Sequence, residues 1–165
     1  MNIVGSRENL FYEAFAVNDY REDFCRPTNK MIIRELNENK PSTLDEVKEI
    51  WYNGRTRRAN YRYDDSRYTI ANLHSFFNKG TVEFGLFNST LDEEKIAAAI
   101  HFSAALADMA KRKSRTTYEV LTDRPFERMI HFLGRLKLTG DEFKTTRYHI
   151  LKQLASGKTG QTAVT

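Results

Sequence analysis

Two hydrophobic rhythms run along this chain, and the change from one to the other divides it into helices, a short β region and helices again. In residues 6–17 the apolar positions Leu10, Phe11, Ala14 and Phe15 recur at spacings of three and four, which predicts a helix. Pro27 opens a second predicted helix over residues 28–38, with Met31, Ile32 and Leu36 facing inward. A proline costs little there, because its missing donor would be unpaired at a helix start anyway. The run PSTLDEVKEIWYNG predicts a third helix. Ser42 or Thr43 caps it, acids fill its first turn and Gly54 ends it, leaving Leu44, Val47, Ile50 and Trp51 as its buried side.

Residues 55–66 are charged and aperiodic, and read as a loop. Beyond them the pattern becomes β-branched and aromatic. RYTIANLHSFF and TVEFGLF, separated by NKG, predict two antiparallel strands joined by a tight turn in which Gly80 supplies positive φ. Along the second strand Val82, Phe84 and Leu86 point one way, while Thr81, Glu83, Gly85 and Phe87 point the other. A two-residue turn places His74 opposite Glu83 or Gly85. In either register Asn72, His74 and Glu83 share one face, with Arg67 near its outer end.

STLDEEK then starts a long helix, with Ser89 or Thr90 as cap and Glu93 completing a capping box with Thr90. Its many alanines favour helix and predict close packing across a sheet. Residues 123–138 form another helix, with Pro125 in the first turn and Met129, Phe132, Leu133 and Leu136 as its stripe. A last helix follows Gly140 and ends near Gly157; residues 158–165 read as a disordered tail. The expected class is α+β and helix-rich: one antiparallel hairpin packed by several helices, with residues 1–157 as a single domain. A lone hairpin is marginal in water. Either the helices clamp it, or it belongs to a larger sheet whose other strands come from elsewhere.

Composition narrows the setting. A chain of 165 residues, 40% hydrophobic and 12% aromatic, can bury one core and is not compositionally disordered. No run approaches the ~18 apolar residues of a membrane span. The first residues lack the basic-then-apolar order of a signal peptide. The single cysteine, Cys25, excludes an internal disulfide. A cytoplasmic protein is expected, with no membrane partner.

The net charge is +4, and from Lys111 onward 12 Lys or Arg stand against 5 Asp or Glu. Such a balance attracts nucleic acid or a phosphorylated ligand; a solvated basic helical surface is the plainer alternative. Arg55, Arg57, Arg58 and Arg62 interleave with Tyr61, Tyr63 and Tyr68, as in single-strand binders, or else form a mobile loop. Cys25, His101 and His149 read as structural. GKTG near the end lacks the glycine spacing, strand and helix of a P-loop.

The segment with candidate chemistry is SRYTIANLHSFFNKGTVEFGLFNSTL, residues 66–91. Glu83 lies between Val82 and Phe84. Because burying an unpaired charge is costly, its carboxylate must face water, a cation or a partner. A carboxylate, an imidazole, an amide and a guanidinium on one sheet face suit Mg²⁺ and phosphate. An exposed face of ordinary polar residues is the alternative.

This segment, with ENLFYEAFAV, KPSTLDEVKEIWYNG and LKLTGDEFKTTRYHILKQLASG, resembles the amidoligase family of bacteria and their mobile elements, over most of residues 8–157 and in family order. The resemblance implies the C-terminal part of a glutamine-synthetase-like domain. It also implies an ATP-dependent carboxylate–amine ligase, with ATP and Mg²⁺ as cofactors and a carboxylate and an amine as substrates. On that resemblance Glu83 would be the metal ligand and, with Arg67 and His74, catalytic. Arg67, Asn72, His74 and Asn88 would contact the nucleotide or shape its site. Three departures stand out. Gly85 replaces an arginine expected two residues after the strand glutamate. Asp92 replaces a histidine after STL. The family's earlier glutamate-rich strands are not represented, so a separate N-terminal half is an expected partner, and a truncated ligase, inactive alone, is the expected state. The other functional readings are a nucleic-acid-binding helical module and an interaction protein that completes a partner's sheet.

Overall fold

The computed structural model describes residues 1–21, 23–113, 116–120 and 123–156. Eight α-helices and one two-stranded antiparallel sheet are found among them: α1 Asn2–Gly5, α2 Glu8–Ala14, α3 Lys30–Asn39, α4 Leu44–Trp51, β1 Ala71–Asn72, α5 His74–Lys79, β2 Glu83–Phe84, α6 Glu93–Arg112, α7 Pro125–Arg135 and α8 Lys144–Ser156. The helix-rich α+β expectation is met. The predicted tail, residues 158–165, lies outside the described residues.

The main core forms where α2, α6, α7 and α8 converge. Phe11 meets Phe102 edge-on at 5.2 Å and Phe132 at 5.6 Å, and all three rings are buried. The α7 stripe is the one its spacing predicts: Met129, Phe132, Leu133 and Leu136 are all buried. On α6 the buried positions Ala98, Phe102, Leu106 and Met109 recur every three or four residues. That face packs on α8, not across a sheet as expected. His101 joins the two helices through a 2.8 Å contact from Nδ1 to Thr146 Oγ1. Cys25 is buried in the same core, and burial pushes its thiol up, away from thiolate character. A smaller cluster holds Trp51, Tyr52 and Ala59 against Ile32, Leu73 and Phe77.

Local punctuation explains most boundaries. Thr43 and Glu46 form a complete capping box at the start of α4. Asn29 caps α3 by accepting from the Met31 N–H at 2.9 Å, so the helix begins three residues after Pro27. The cap of α6 is Asp92, whose Oδ1 accepts from the Glu94 and Lys95 N–H groups; Ser89 and Thr90 stand too far upstream. The predicted helix over residues 6–17 is shorter, α2 at Glu8–Ala14, and a separate one-turn helix, α1, precedes it across Ser6 and Arg7. Met31 and Leu44 are exposed, not inward, and Ile33 takes the core position on α3. The residues expected to form a loop at 55–66 contain 3₁₀ turns at Thr56–Asn60 and Asp65–Arg67.

The largest correction concerns the hairpin. Its strands are two residues each, and a helix, α5, occupies the expected turn. The punctuation read as a β-turn is helix punctuation. Gly80, at φ 72°, ends α5 in the left-handed conformation, its N–H bonded to Phe76 O at 2.9 Å. At the other end the Asn72 side chain accepts from the His74 N–H at 2.8 Å and from the Ser75 N–H at 3.4 Å. The ribbon is reinforced by Arg26, whose backbone bonds Tyr68 O and the Ile70 N–H.

Truncating Phe102 to alanine should therefore cost ~3–5 kcal/mol of stability, as deletions of buried aromatics do. Leu44→Ala should change it by no more than about 0.5 kcal/mol, as at ordinary exposed sites. Urea unfolding of both variants checks this division of the apolar residues into core and surface.

Candidate functional site

The register decides what can meet. Asn72 pairs with Glu83 and Ala71 with Phe84, so His74 stands opposite neither Glu83 nor Gly85. Across that pair the Asn72 Nδ2 donates to Glu83 Oε2 at 2.8 Å, and it also reaches Ser75 Oγ at 3.3 Å. Asn72 is only 2% exposed, so its amide is a fixed part of the fold; Glu83 is half-buried. Hydrogen bonding by Ser75 holds the Glu83 carboxyl below the usual carboxylate range against partial burial, helped by Asn72 and the charges of Arg67 and Lys79. Glu83 is thus an ionised carboxylate fixed at one end of a β-ribbon.

Arg67 comes near this carboxylate electrostatically, but its donor Nη1 is engaged by Arg62 O at 2.9 Å and its guanidinium lies over the Tyr63 and Tyr68 rings. His74 lies on helix, not ribbon. Its ring is buried, with Nδ1 at 2.6 Å from the Tyr52 hydroxyl and Nε2 at 3.3 Å from Asn78 Nδ2. The imidazole therefore faces the smaller core. Asn88 is farther along the chain and is spent on backbone: Nδ2 donates to Ala16 O at 2.7 Å, and Oδ1 accepts from the Asn18 N–H at 3.3 Å. Of the expected residues the structure joins Asn72 and Glu83 directly and adds Arg67 through its charge. His74 is attached through backbone only.

Several neighbours had no signal in spacing alone. Tyr52 arrives from the end of α4, and burial pushes its hydroxyl up to about 12. Asp64 is buried and holds Arg58 in a two-pronged pair at 2.7 and 3.0 Å. Ser75 was legible in principle, three residues after Asn72 in a capping arrangement. Elsewhere, Asp92 and Glu94 at the start of α6 and His149 on α8 bring three ligand-type atoms within 4.8 Å of one another. Lys95 and Lys152 contact that group. Among the described residues it is the one such cluster, and Glu83 is not in it.

Gly85 has its own explanation. A Cβ there would stand 2.9 Å from the Thr69 carbonyl oxygen, inside contact distance with backbone. Arg21 reaches the same strand from outside, donating to Gly85 O at 2.8 Å and to Phe87 O. Position 85 is thus closed to any side chain in this backbone arrangement, and the missing arginine is a feature of the local fold.

A family described as "Putative amidoligase enzyme" matches residues 1–107. The chain belongs to this family. The match contains the whole ribbon, α5 and the Asn72–Glu83 pair, and ends inside α6, so α7 and α8 lie beyond it. No curated protein and no solved structure matches the chain. No helix among the described residues is long and apolar enough to cross a membrane.

Gly85→Ala should destabilise the protein by ~1–3 kcal/mol, the usual cost of forcing a carbon into a filled space; its urea midpoint reports this directly. His74 gives a pH signature. Burial lowers its pKa in the fold, opposed by Asp64 and Glu83 and reinforced by Arg67. The unfolded chain therefore binds a proton that the folded chain does not. Stability from this source is present above about pH 6.5 and is lost as pH falls below it toward the depressed folded value. His74→Gln should flatten the rise in stability between about pH 5 and pH 7.5 relative to the parent protein, measured by denaturant titration at each pH.

Proposed function

We propose that this protein supplies one carboxylate-bearing strand to an ATP-dependent carboxylate–amine ligase, and that the site is completed by acidic residues from another polypeptide segment. Family membership supports the reaction class. The carrying observation is Glu83, kept ionised and oriented by Asn72 on a strand whose other edge has no strand partner among the described residues. An open edge is where a partner's strand adds.

Tested against Mg²⁺ and ATP, the residues present fall short. Magnesium takes six oxygens in a near-octahedral shell and is usually held by one or two carboxylates with waters and phosphates. Glu83 belongs to no group of three ligand-type side chains among the described residues, and Asn72 occupies one of its oxygens. His74 turns to Tyr52. No step of the reaction is therefore assigned to this chain alone. Its contribution is to hold one negative charge at a set place and to offer Arg67 nearby for a phosphate. The reaction so assembled joins a carboxylate to an amine with consumption of ATP. The cytoplasm, where ATP and Mg²⁺ are abundant, is the proposed setting.

The nucleic-acid reading keeps one observation in its favour. Tyr61 and Tyr63 are exposed beside arginines, with Arg62 5.3 Å from the Tyr63 ring centroid. Salt-sensitive binding of single-stranded oligonucleotides would support it.

The decisive experiment measures ATP-dependent ADP release, with panels of carboxylates and amines, for the chain alone and for the chain co-expressed with the N-terminal half of a family member. Release is expected only from the pair, and Glu83→Gln should lower it by ~10²-fold or more. Equal turnover by the Glu83→Gln protein, or full turnover by the chain alone, would refute the proposal.

A further inference from the structure

A pocket of about 360 Å³ opens between the α1–α2 junction and α7, lined by Arg7, Leu10, Arg124, Arg128, Phe132 and Arg135. Arg7 stands at the break between α1 and α2, and its guanidinium lies 4.7 Å over the Phe132 ring. One donor, Nη1, reaches Ile3 O at 3.2 Å. The other three arginines come from the start and end of α7, which brings four guanidinium groups around one small volume.

The negative charge at hand does not match them. Asp123 pairs with Arg128 and, at 3.5 Å, with Arg124 at the rim. Glu127 is the one carboxylate among the lining residues, and His131 completes the wall. Arg135 is exposed and has no hydrogen bond or ion pair among the described residues. Burial, together with the charges of Arg135 and Arg128, makes it harder for Arg7 to stay protonated, with Glu119 acting the other way. Like charges held together around a concavity are costly unless an anion joins them, and the planar fork of arginine fits phosphate oxygens in pairs.

We propose that this pocket binds the phosphate group of a small phosphorylated molecule, with Arg7 and Arg135 as its principal contacts. Leu10 and Phe132 give the pocket an apolar wall for the organic part. Its volume sits at the small end of ligand pockets, which run from about 300 Å³ upward, and so suits a mononucleotide or a smaller ester. Arg7 and Leu10 fall within the residues matched to the family, whereas α7 falls outside them, so the site straddles that boundary. It shares no residue with the Glu83 cluster and goes beyond the ligase reading.

The test is calorimetric titration of the whole chain, without magnesium, against inorganic phosphate, pyrophosphate and adenosine monophosphate. At least one should bind, and Arg135→Gln should weaken binding about tenfold or more, as loss of a hydrogen bond between charged groups does. Arg135 is on the surface, so this variant keeps the fold, and its unchanged melting temperature serves as the check. Arg7→Lys, which retains charge but loses the fork, should fall between the two. Glu83→Gln should bind like the parent, which separates a failure here from a failure of the ligase proposal. No binding by any of the three anions would overturn the assignment, as would parental affinity in Arg135→Gln. So would a single-stranded oligonucleotide that binds far more tightly and is indifferent to Arg135.

Discussion

Asn72 is buried, and the two ends of its amide serve different elements. The oxygen accepts from the first N–H groups of α5, while the nitrogen crosses the ribbon to Glu83. A buried side-chain amide left half-satisfied costs about 1–3 kcal/mol, so each bond enforces the other. With the oxygen committed to α5, only the nitrogen is free to turn outward, and a nitrogen can only donate. It therefore requires an acceptor at position 83, and together with Ser75 it favours the ionised form of Glu83. The geometry of the candidate site is in this sense a by-product of how α5 begins.

The same constraint separates two polar groups that look equivalent in sequence. Asn72 and His74 are two residues apart and would share a face on a strand. Once Asn72 starts a helix, His74 becomes its first residue and its ring docks on Tyr52. Its environment depresses its protonation, while that of Glu83 favours ionisation. One group is then a neutral buried contact and the other a charged, half-exposed one. Gly85 belongs to this arrangement. The ribbon is closed by Gly85 N–H to Ile70 O at 3.0 Å, and the Thr69 carbonyl sits where a side chain would start.

Sequence reading recovered what depends on long periodicity and on strong caps: the α7 stripe, the Thr43–Glu46 box, the helical second half. It also placed Asn72 with Glu83. It failed where one signal serves two structures. NKG flanked by aromatic residues fits a hairpin turn and a helix C-terminus equally well, and only the competing cap from Asn72 decides between them. Leu44 and Met31 carry the right period but lie at helix starts that the core does not cover. Tyr52 and Asp64 join the polar cluster through tertiary packing, for which one sequence has no periodic trace. The three-residue group of Asp92, Glu94 and His149 spans α6 and α8 and is invisible for the same reason.

Charge shows how far a compositional clue can mislead about location. The excess of Lys and Arg after Lys111 suggests one broad basic surface. In the fold some of these side chains are engaged locally. Arg112 pairs with Asp108 at 2.8 Å, Arg128 with Asp123, and Arg147 is spent on the Leu138 and Gly140 carbonyls at 3.1 and 2.7 Å. A guanidinium already bonded to a carboxylate adds little to the attraction felt by a distant polyanion, since the pair's field falls off faster than that of a free charge and salt screens it within ~10 Å. One place where basic side chains converge is the pocket that Arg7, from far outside the basic segment, lines together with Arg135. Recognition there depends on the shape of a few converging forks more than on the summed charge of the C-terminal helices, which favours a compact anion over an extended one.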